Sequence, residues 1–116
     1  MPEPVRLRVI YLFSRECPSH EEGLRLLREA AERAGVPVAV ESVEVRGDEQ
    51  AEALGFVGSP TYLAGGRDLF PAEGPRHAPR ADACRVYARS GGRAGPLPEL
   101  EDLAEALGAA AAAVPA

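Results

Sequence analysis

The amino-acid sequence predicts a single α/β domain with a mixed four- to five-stranded sheet and helices packed on its faces. An apolar run in residues 9–13 is typical of a strand buried on both faces, as in a parallel sheet. A helical pattern follows in residues 18–34, and two strand-like segments separated by Gly65 and Gly66 lie further along the chain. A strand, a helix and later strands in this order indicate α/β architecture.

Size and composition limit the domain organisation and the partners. With 116 residues the chain is long enough for one hydrophobic core and too short for two. We expect residues 1–108 to form the domain and the alanine-rich residues 109–116 to form a frayed tail. The formal net charge of −5 argues against a nucleic-acid partner. Since we find neither a membrane-span pattern nor a signal-peptide pattern, we expect a cytoplasmic protein with no membrane partner.

The first half of the chain should form a strand, a helix, a strand and a short helix. Residues 5–13 begin with alternating apolar side chains and end as the apolar run. Residues 18–34 carry apolar side chains at helical spacing. Residues 36–46 alternate again but change phase near Glu41-Ser42, which predicts a bulge or a bend at that point. A short helix is expected for residues 48–54.

The second half should contribute a β-hairpin, a further strand and a closing helix. The hairpin would pair residues 61–64 with residues 67–70 across the two glycines. Residues 84–88 would form a short strand. The last helix is predicted for residues 98–107, with Gly108 as its end.

One of the two cysteines lies where the first strand gives way to the first helix. The free N–H groups of a helix N-terminus favour an anion, and Arg15 adds a positive charge, so we expect a reactive thiol at Cys17. Pro18 at the first helical position would make Cys17 the N-cap. Alternatively, Ser19 and Glu22 form a capping box, which leaves Cys17 two residues outside the helix.

Three further residues are candidates for the same site. His20 lies one helical turn beyond Cys17, near enough to bond its thiolate; the alternative is a solvent-facing histidine. Pro60 has no N–H to donate at the start of its strand. Cys84 is the second cysteine, and in a reducing compartment a cysteine pair is more often catalytic or metal-binding than structural; its alternative is a small core residue. Together, Cys17 and Cys84 would suit a soft metal, with His20 as a further ligand.

A cysteine on the strand-to-helix turn, followed later by Gly58-Ser59-Pro60-Thr61 at the head of a hairpin, resembles the thioredoxin-like superfamily. The resemblance covers roughly residues 5–70 and the final helix. It implies that the bond before Pro60 is cis and that this proline lies against Cys17. At the fourth position of the family's Cys-x-x-Cys motif this sequence has His20.

A narrower resemblance is to the small proteins grouped with the alkylmercury (organomercurial) lyases. The segments that carry it are Cys17-Pro18, Gly58 to Thr61, Asp68-Leu69-Phe70 and Cys84-Arg85-Val86-Tyr87. It implies two cysteines that handle mercury, with His20 at the position of the aspartate in the lyases' Cys-x-x-Asp arrangement.

These observations leave three hypotheses, because the fold alone does not specify function. The first is a thioredoxin-like protein whose single thiolate at Cys17 performs thiol–disulfide redox chemistry on a protein thiol or disulfide, with Cys84 as the resolving cysteine. The second is a soft-metal or organomercurial-binding protein, or one resembling alkylmercury lyases. The third is a non-catalytic thioredoxin-fold adaptor that presents the hairpin or the arginine-rich residues 76–93 to a partner. No cofactor is expected, and the oligomeric state is left open.

Overall fold

A computed structural model of the chain describes residues 6–54, 56, 58–70, 87–89 and 93–113. In chain order they form β1 (Leu7–Phe13), α1 (His20–Ala34), β2 (Val38–Glu44), α2 (Asp48–Leu54), β3 (Thr61–Ala64), β4 (Arg67–Asp68), β5 (Tyr87–Arg89), β6 (Arg93–Gly95) and α3 (Leu100–Ala113). The α/β class is confirmed. Among the described helices, none has the length and apolar character needed to span a membrane.

Four strands form one mixed sheet in the order β2-β1-β3-β4. β1 runs parallel to β2 and antiparallel to β3, and β3 runs antiparallel to β4. The turn between β3 and β4 consists of Gly65 and Gly66, whose φ angles of 61° and 77° lie in the left-handed region that glycine favours. The mixed four-stranded sheet and the hairpin are therefore as predicted, although β4 has only two residues.

The ladder between β1 and β2 is continuous over the full length of both strands. The bulge predicted near Glu41 is therefore wrong, because a bulge would leave one residue of β2 unpaired. The change of phase in the sequence has a different cause. Val40 packs against the cluster on one face of the sheet, and Val43 packs against the cluster on the other. Successive residues of a strand point to opposite faces, so one regular strand serves both clusters.

Each face of the sheet carries a hydrophobic cluster. The larger one lies between the sheet and the helices α1 and α3; its fully buried members include Val9, Tyr11, Leu27, Tyr62, Leu103 and Leu107. The smaller one joins Leu12, Val45, Ala51 of α2 and Phe56. β1 lies between β2 and β3, so both of its faces are covered. Its successive side chains point to opposite faces, and β1 therefore contributes to both clusters.

The end of the chain differs from the prediction. α3 continues through Gly108 to Ala113, so Gly108 does not end the helix and residues 109–113 are not a frayed tail. Alanine is the strongest helix former, and a run of alanines carries the helix past a glycine that costs about 1 kcal/mol. Ala110 also packs against the larger cluster.

The strand expected at residues 84–88 is found in part as β5, and residues 84–86 lie outside the described residues. β5 pairs with β6 in a separate two-stranded sheet. The sequence did not predict β6, because its three residues have no apolar alternation.

Candidate functional site: a buried thiol at the β1–α1 junction

Cys17 lies in the turn that joins β1 to α1. Its N–H donates to the carbonyl of Ser14 at 3.0 Å, and its carbonyl accepts the N–H of His20 at 3.3 Å. These two bonds fold the segment into successive tight turns before the helix begins. The residue that caps the helix is Ser19.

The prediction that Cys17 is the N-cap is wrong. The His20 N–H bonds to a carbonyl three residues back, which is the geometry of a tight turn and not that of an α-helix. The alternative start at Ser19 is right, but the Ser19 side chain makes no capping hydrogen bond, so there is no capping box with Glu22. Cys17 therefore lies two residues outside the helix.

The thiol of Cys17 is buried, with 4% of the residue exposed. Its Sγ donates to the carbonyl of Ser59 over 3.7 Å. The hydroxyl of the same Ser59 accepts the N–H of Ser14 at 3.0 Å. Ser59 thus binds the Cys17 turn at two points, through its backbone and through its side chain. Because the sulfur is buried, a reagent can reach it only when the surrounding structure opens locally.

The peptide bond between Ser59 and Pro60 is cis, in agreement with the prediction. Pro60 is fully buried and packs against Gly23 of α1, where a Cβ would lie 3.1 Å from the proline Cγ. The hydroxyl of Tyr87 donates to the Pro60 carbonyl. The segment that faces Cys17 is therefore held by α1 on one side and by β5 on the other.

His20 lies beside Cys17 in a different role from the predicted one. Its imidazole stacks on the ring of Phe13, with 5.2 Å between the ring centroids and 18° between the planes. Within the described residues, the hydrogen-bond partner of the Cys17 Sγ is the Ser59 carbonyl, so the predicted bond between His20 and the sulfur is not formed. The backbone of His20, by contrast, accepts a hydrogen bond from the hydroxyl of Tyr11.

Tyr11 is a component of the site that sequence reasoning missed. It is 1% exposed, and its hydroxyl occupies the space that a Cβ at Gly23 would need. Burial raises the pKa of Tyr11, and the negative charge of an ionised Cys17 raises that pKa further. The phenol is therefore a hydrogen-bond donor at neutral pH. A tyrosine within a buried apolar strand needs a partner for its hydroxyl, and this is the signal that could have identified it.

The contact between Ser14 and Ser59 was also missed: Ser59 belongs to the Gly-Ser-Pro-Thr motif, but no local pattern predicts its hydrogen bond to Ser14. The two serines are 45 residues apart in the chain, and their contact exists because β1 and β3 are neighbours in the sheet. Both are buried polar residues, with 6% of Ser14 and none of Ser59 exposed. Buried polar groups of this kind are retained when their hydrogen bonds are satisfied, as they are here.

The second cysteine, Cys84, lies outside the described residues, and Cys17 is a free thiol. In the described part of the chain, no three or more histidine, cysteine, aspartate or glutamate side chains are grouped to hold a metal ion. A soft-metal site of Cys17 and Cys84 therefore stays a prediction, as does the function of Cys84 as a resolving cysteine.

The site thus combines a buried thiol, a carbonyl that accepts a hydrogen bond from it and a turn fixed by side-chain hydrogen bonds. When the turn opens, a thiol at this position can come into contact with an electrophilic sulfur, the geometry that thiol–disulfide exchange requires. No protein-family model, curated protein or solved structure matches the chain.

Proposed function

We propose that the chain is a thioredoxin-like protein that exchanges thiols and disulfides through Cys17. The observation that carries the proposal is the position of the Cys17 Sγ, 3.7 Å from the Ser59 carbonyl, in the turn between a central strand and the first helix. The parallel unit β1-α1-β2, followed by the antiparallel pair β3-β4 and by α3, supports the thioredoxin-like assignment. The partner would be a small or protein disulfide.

The proposed chemistry has two steps. The Cys17 thiolate attacks one sulfur of a disulfide RSSR, which forms a mixed disulfide Cys17–S–S–R and releases RS⁻. The Cys84 thiolate then attacks the Cys17 sulfur, which forms a Cys17–Cys84 disulfide and releases the second RS⁻. Two electrons pass from the two cysteines to RSSR, and both thiols lose a proton to water.

The test is incubation of the native protein with glutathione disulfide, followed by mass spectrometry of the intact chain and its peptides. In the wild type we expect an intramolecular disulfide without a retained glutathione. In Cys84→Ser the reaction should stop at one glutathione on Cys17. In Cys17→Ser, glutathione should add to Cys84 more slowly than it adds to Cys17 in Cys84→Ser, because Cys17 is the thiol that makes the first attack on the disulfide.

Two results separate the parts of the proposal. If native Cys17 forms no mixed disulfide in Cys84→Ser but does so once the chain is unfolded in urea, the exchange function is refuted. If the wild type and Cys84→Ser both stop at the mixed disulfide, Cys17 exchanges thiols but Cys84 does not resolve the product. The second result would leave a monothiol protein.

A further inference from the structure

A set of hydrogen bonds connects the Cys17 turn to two side chains, that of Tyr11 on β1 and that of Ser59 just before β3. The hydroxyl of Tyr11 donates to the His20 carbonyl, and the His20 N–H donates to the Cys17 carbonyl at 3.3 Å. On the other side of the turn, the Cys17 N–H donates to the Ser14 carbonyl at 3.0 Å, and the Ser14 N–H donates to the hydroxyl of Ser59. The turn is therefore held by Tyr11 of β1 at one end and by Ser59 at the other.

We propose that Tyr11 is a positioning residue for Cys17: its hydroxyl holds the first peptide of α1 and thereby keeps the thiol in its buried position against Ser59. The inference rests on the thiol chemistry proposed for Cys17 and adds the element that controls access to it. Loss of the hydroxyl would leave the His20 carbonyl with its intrahelical bond alone and would loosen the first turn of α1, whose His20 N–H donates to the Cys17 carbonyl. The turn would then open more often, and the sulfur would be exposed more often.

Two features show that the Tyr11 hydroxyl is fitted to this place. Residue 23 of α1 is glycine, and a Cβ there would collide with the hydroxyl oxygen, so the helix approaches Tyr11 at a distance that no other residue allows. The side chain of His20 also stacks on Phe13, which lies two residues after Tyr11 on the same face of β1. Side chains of β1 therefore contact both the backbone and the imidazole ring of His20, the first residue of α1.

The test measures alkylation of Cys17 by iodoacetamide at one pH in the Cys84→Ser background, where Cys17 is the remaining thiol. Tyr11→Phe removes the hydroxyl alone, and we expect alkylation to become about fivefold faster, the ratio that corresponds to loss of one typical buried hydrogen bond. Tyr62→Phe is the matched control. It removes another buried hydroxyl that donates to α1, at the Gly23 carbonyl 2.9 Å away, and should change the rate less than about twofold.

A second measurement compares two probes of the same opening. If the Cys17 turn and the first peptide of α1 move together, the opening constant from Cys17 alkylation should agree within about fivefold with that from hydrogen exchange of the His20 amide. In Tyr11→Phe both constants should rise together. The alkylation rates of both variants are also measured as a function of pH. If Tyr11→Phe acts by opening the turn, its rate should exceed that of the wild type by the same factor at every pH.

The inference is overturned if Tyr11→Phe and Tyr62→Phe accelerate alkylation equally, if neither does, or if the His20 amide and the Cys17 sulfur open with clearly different constants. Failure of the proposed function gives a different result. In that case native Cys17 forms no mixed disulfide with glutathione disulfide, while the iodoacetamide rates still rank the two variants.

Discussion

α1 packs tightly against its neighbours at Gly23, and substitution of this residue tests the packing of the site. A Cβ at position 23 would collide with the Tyr11 hydroxyl and lie 3.1 Å from both the Leu97 Cδ2 and the Pro60 Cγ. We therefore predict that Gly23→Ala destabilises the protein, although alanine is normally the better helix residue.

The expected magnitude is the difference between opposing effects. Alanine gains about 1 kcal/mol over glycine inside a helix. Overpacking of a tight site costs roughly 1–3 kcal/mol. Displacement of the Tyr11 hydroxyl from the His20 carbonyl costs about 1 kcal/mol more. The net prediction is a loss of about 1–3 kcal/mol in the free energy of unfolding.

Urea unfolding of Gly23→Ala and of Gly108→Ala measures this difference. Gly108 is the matched control, because it lies inside α3 and a Cβ there would meet nothing within 4 Å. Gly108→Ala should stabilise the protein by about 0.5–1 kcal/mol. In the Tyr11→Phe background, Gly23→Ala should cost less, since the colliding oxygen is gone. An unchanged or increased stability of Gly23→Ala would refute the reasoning, and so would strict additivity with Tyr11→Phe.

Two further predictions concern the same site. Ser59→Ala leaves the buried Ser14 N–H without its acceptor and should lower the free energy of unfolding by about 1–3 kcal/mol in urea titrations; a loss below about 0.5 kcal/mol would show that this hydrogen bond does not hold the turn. Because the pKa of Tyr11 is raised in the native protein, its contribution to the free energy of unfolding is fully present below the unfolded-state tyrosine pKa of about 10. Above that pH the unfolded chain loses a proton that the native protein keeps, so the free energy of unfolding should fall by up to about 1.4 kcal/mol per pH unit. Unfolding free energies measured from about pH 9 upward should fall less steeply in Tyr11→Phe, and equal slopes would contradict the argument.

The sequence predicted well those features that depend on local patterns. The hairpin follows from two adjacent glycines between apolar segments, and the bounds of α2 were predicted from Asp48 as a capping residue and from Gly55 as a residue that ends a helix. The order of the elements also followed from hydrophobic periodicity, as did the position of Cys17 between the first strand and the first helix. These features are set by residues close together in the chain.

The remaining features depend on contacts between distant residues. Val43 changed the phase of the apolar pattern because the cluster around α2 lies on the opposite face of the sheet, and this cannot be read from β2 alone. The choice between Cys17 and Ser19 as the N-cap was decided by turn bonds to Ser14 and His20. The bond between Ser14 and Ser59 requires two strands that pair across 45 residues of chain.

The placement of Cys17 bears on how its reactivity can be controlled. The turn is fixed by three side-chain hydrogen bonds, from Tyr11 to His20, from Ser14 to Ser59 and from Cys17 to Ser59. At about 0.5–1.5 kcal/mol for each bond, loss of the three bonds on opening of the turn would cost about 1.5–4.5 kcal/mol. Global unfolding of a domain costs about 5–15 kcal/mol. Because the ladder bonds of β1 need not break, the thiol can become accessible without loss of the fold. In the exchange reaction proposed above, a disulfide would capture Cys17 in this small open population, and the proposed positioning by Tyr11 would set the size of that population.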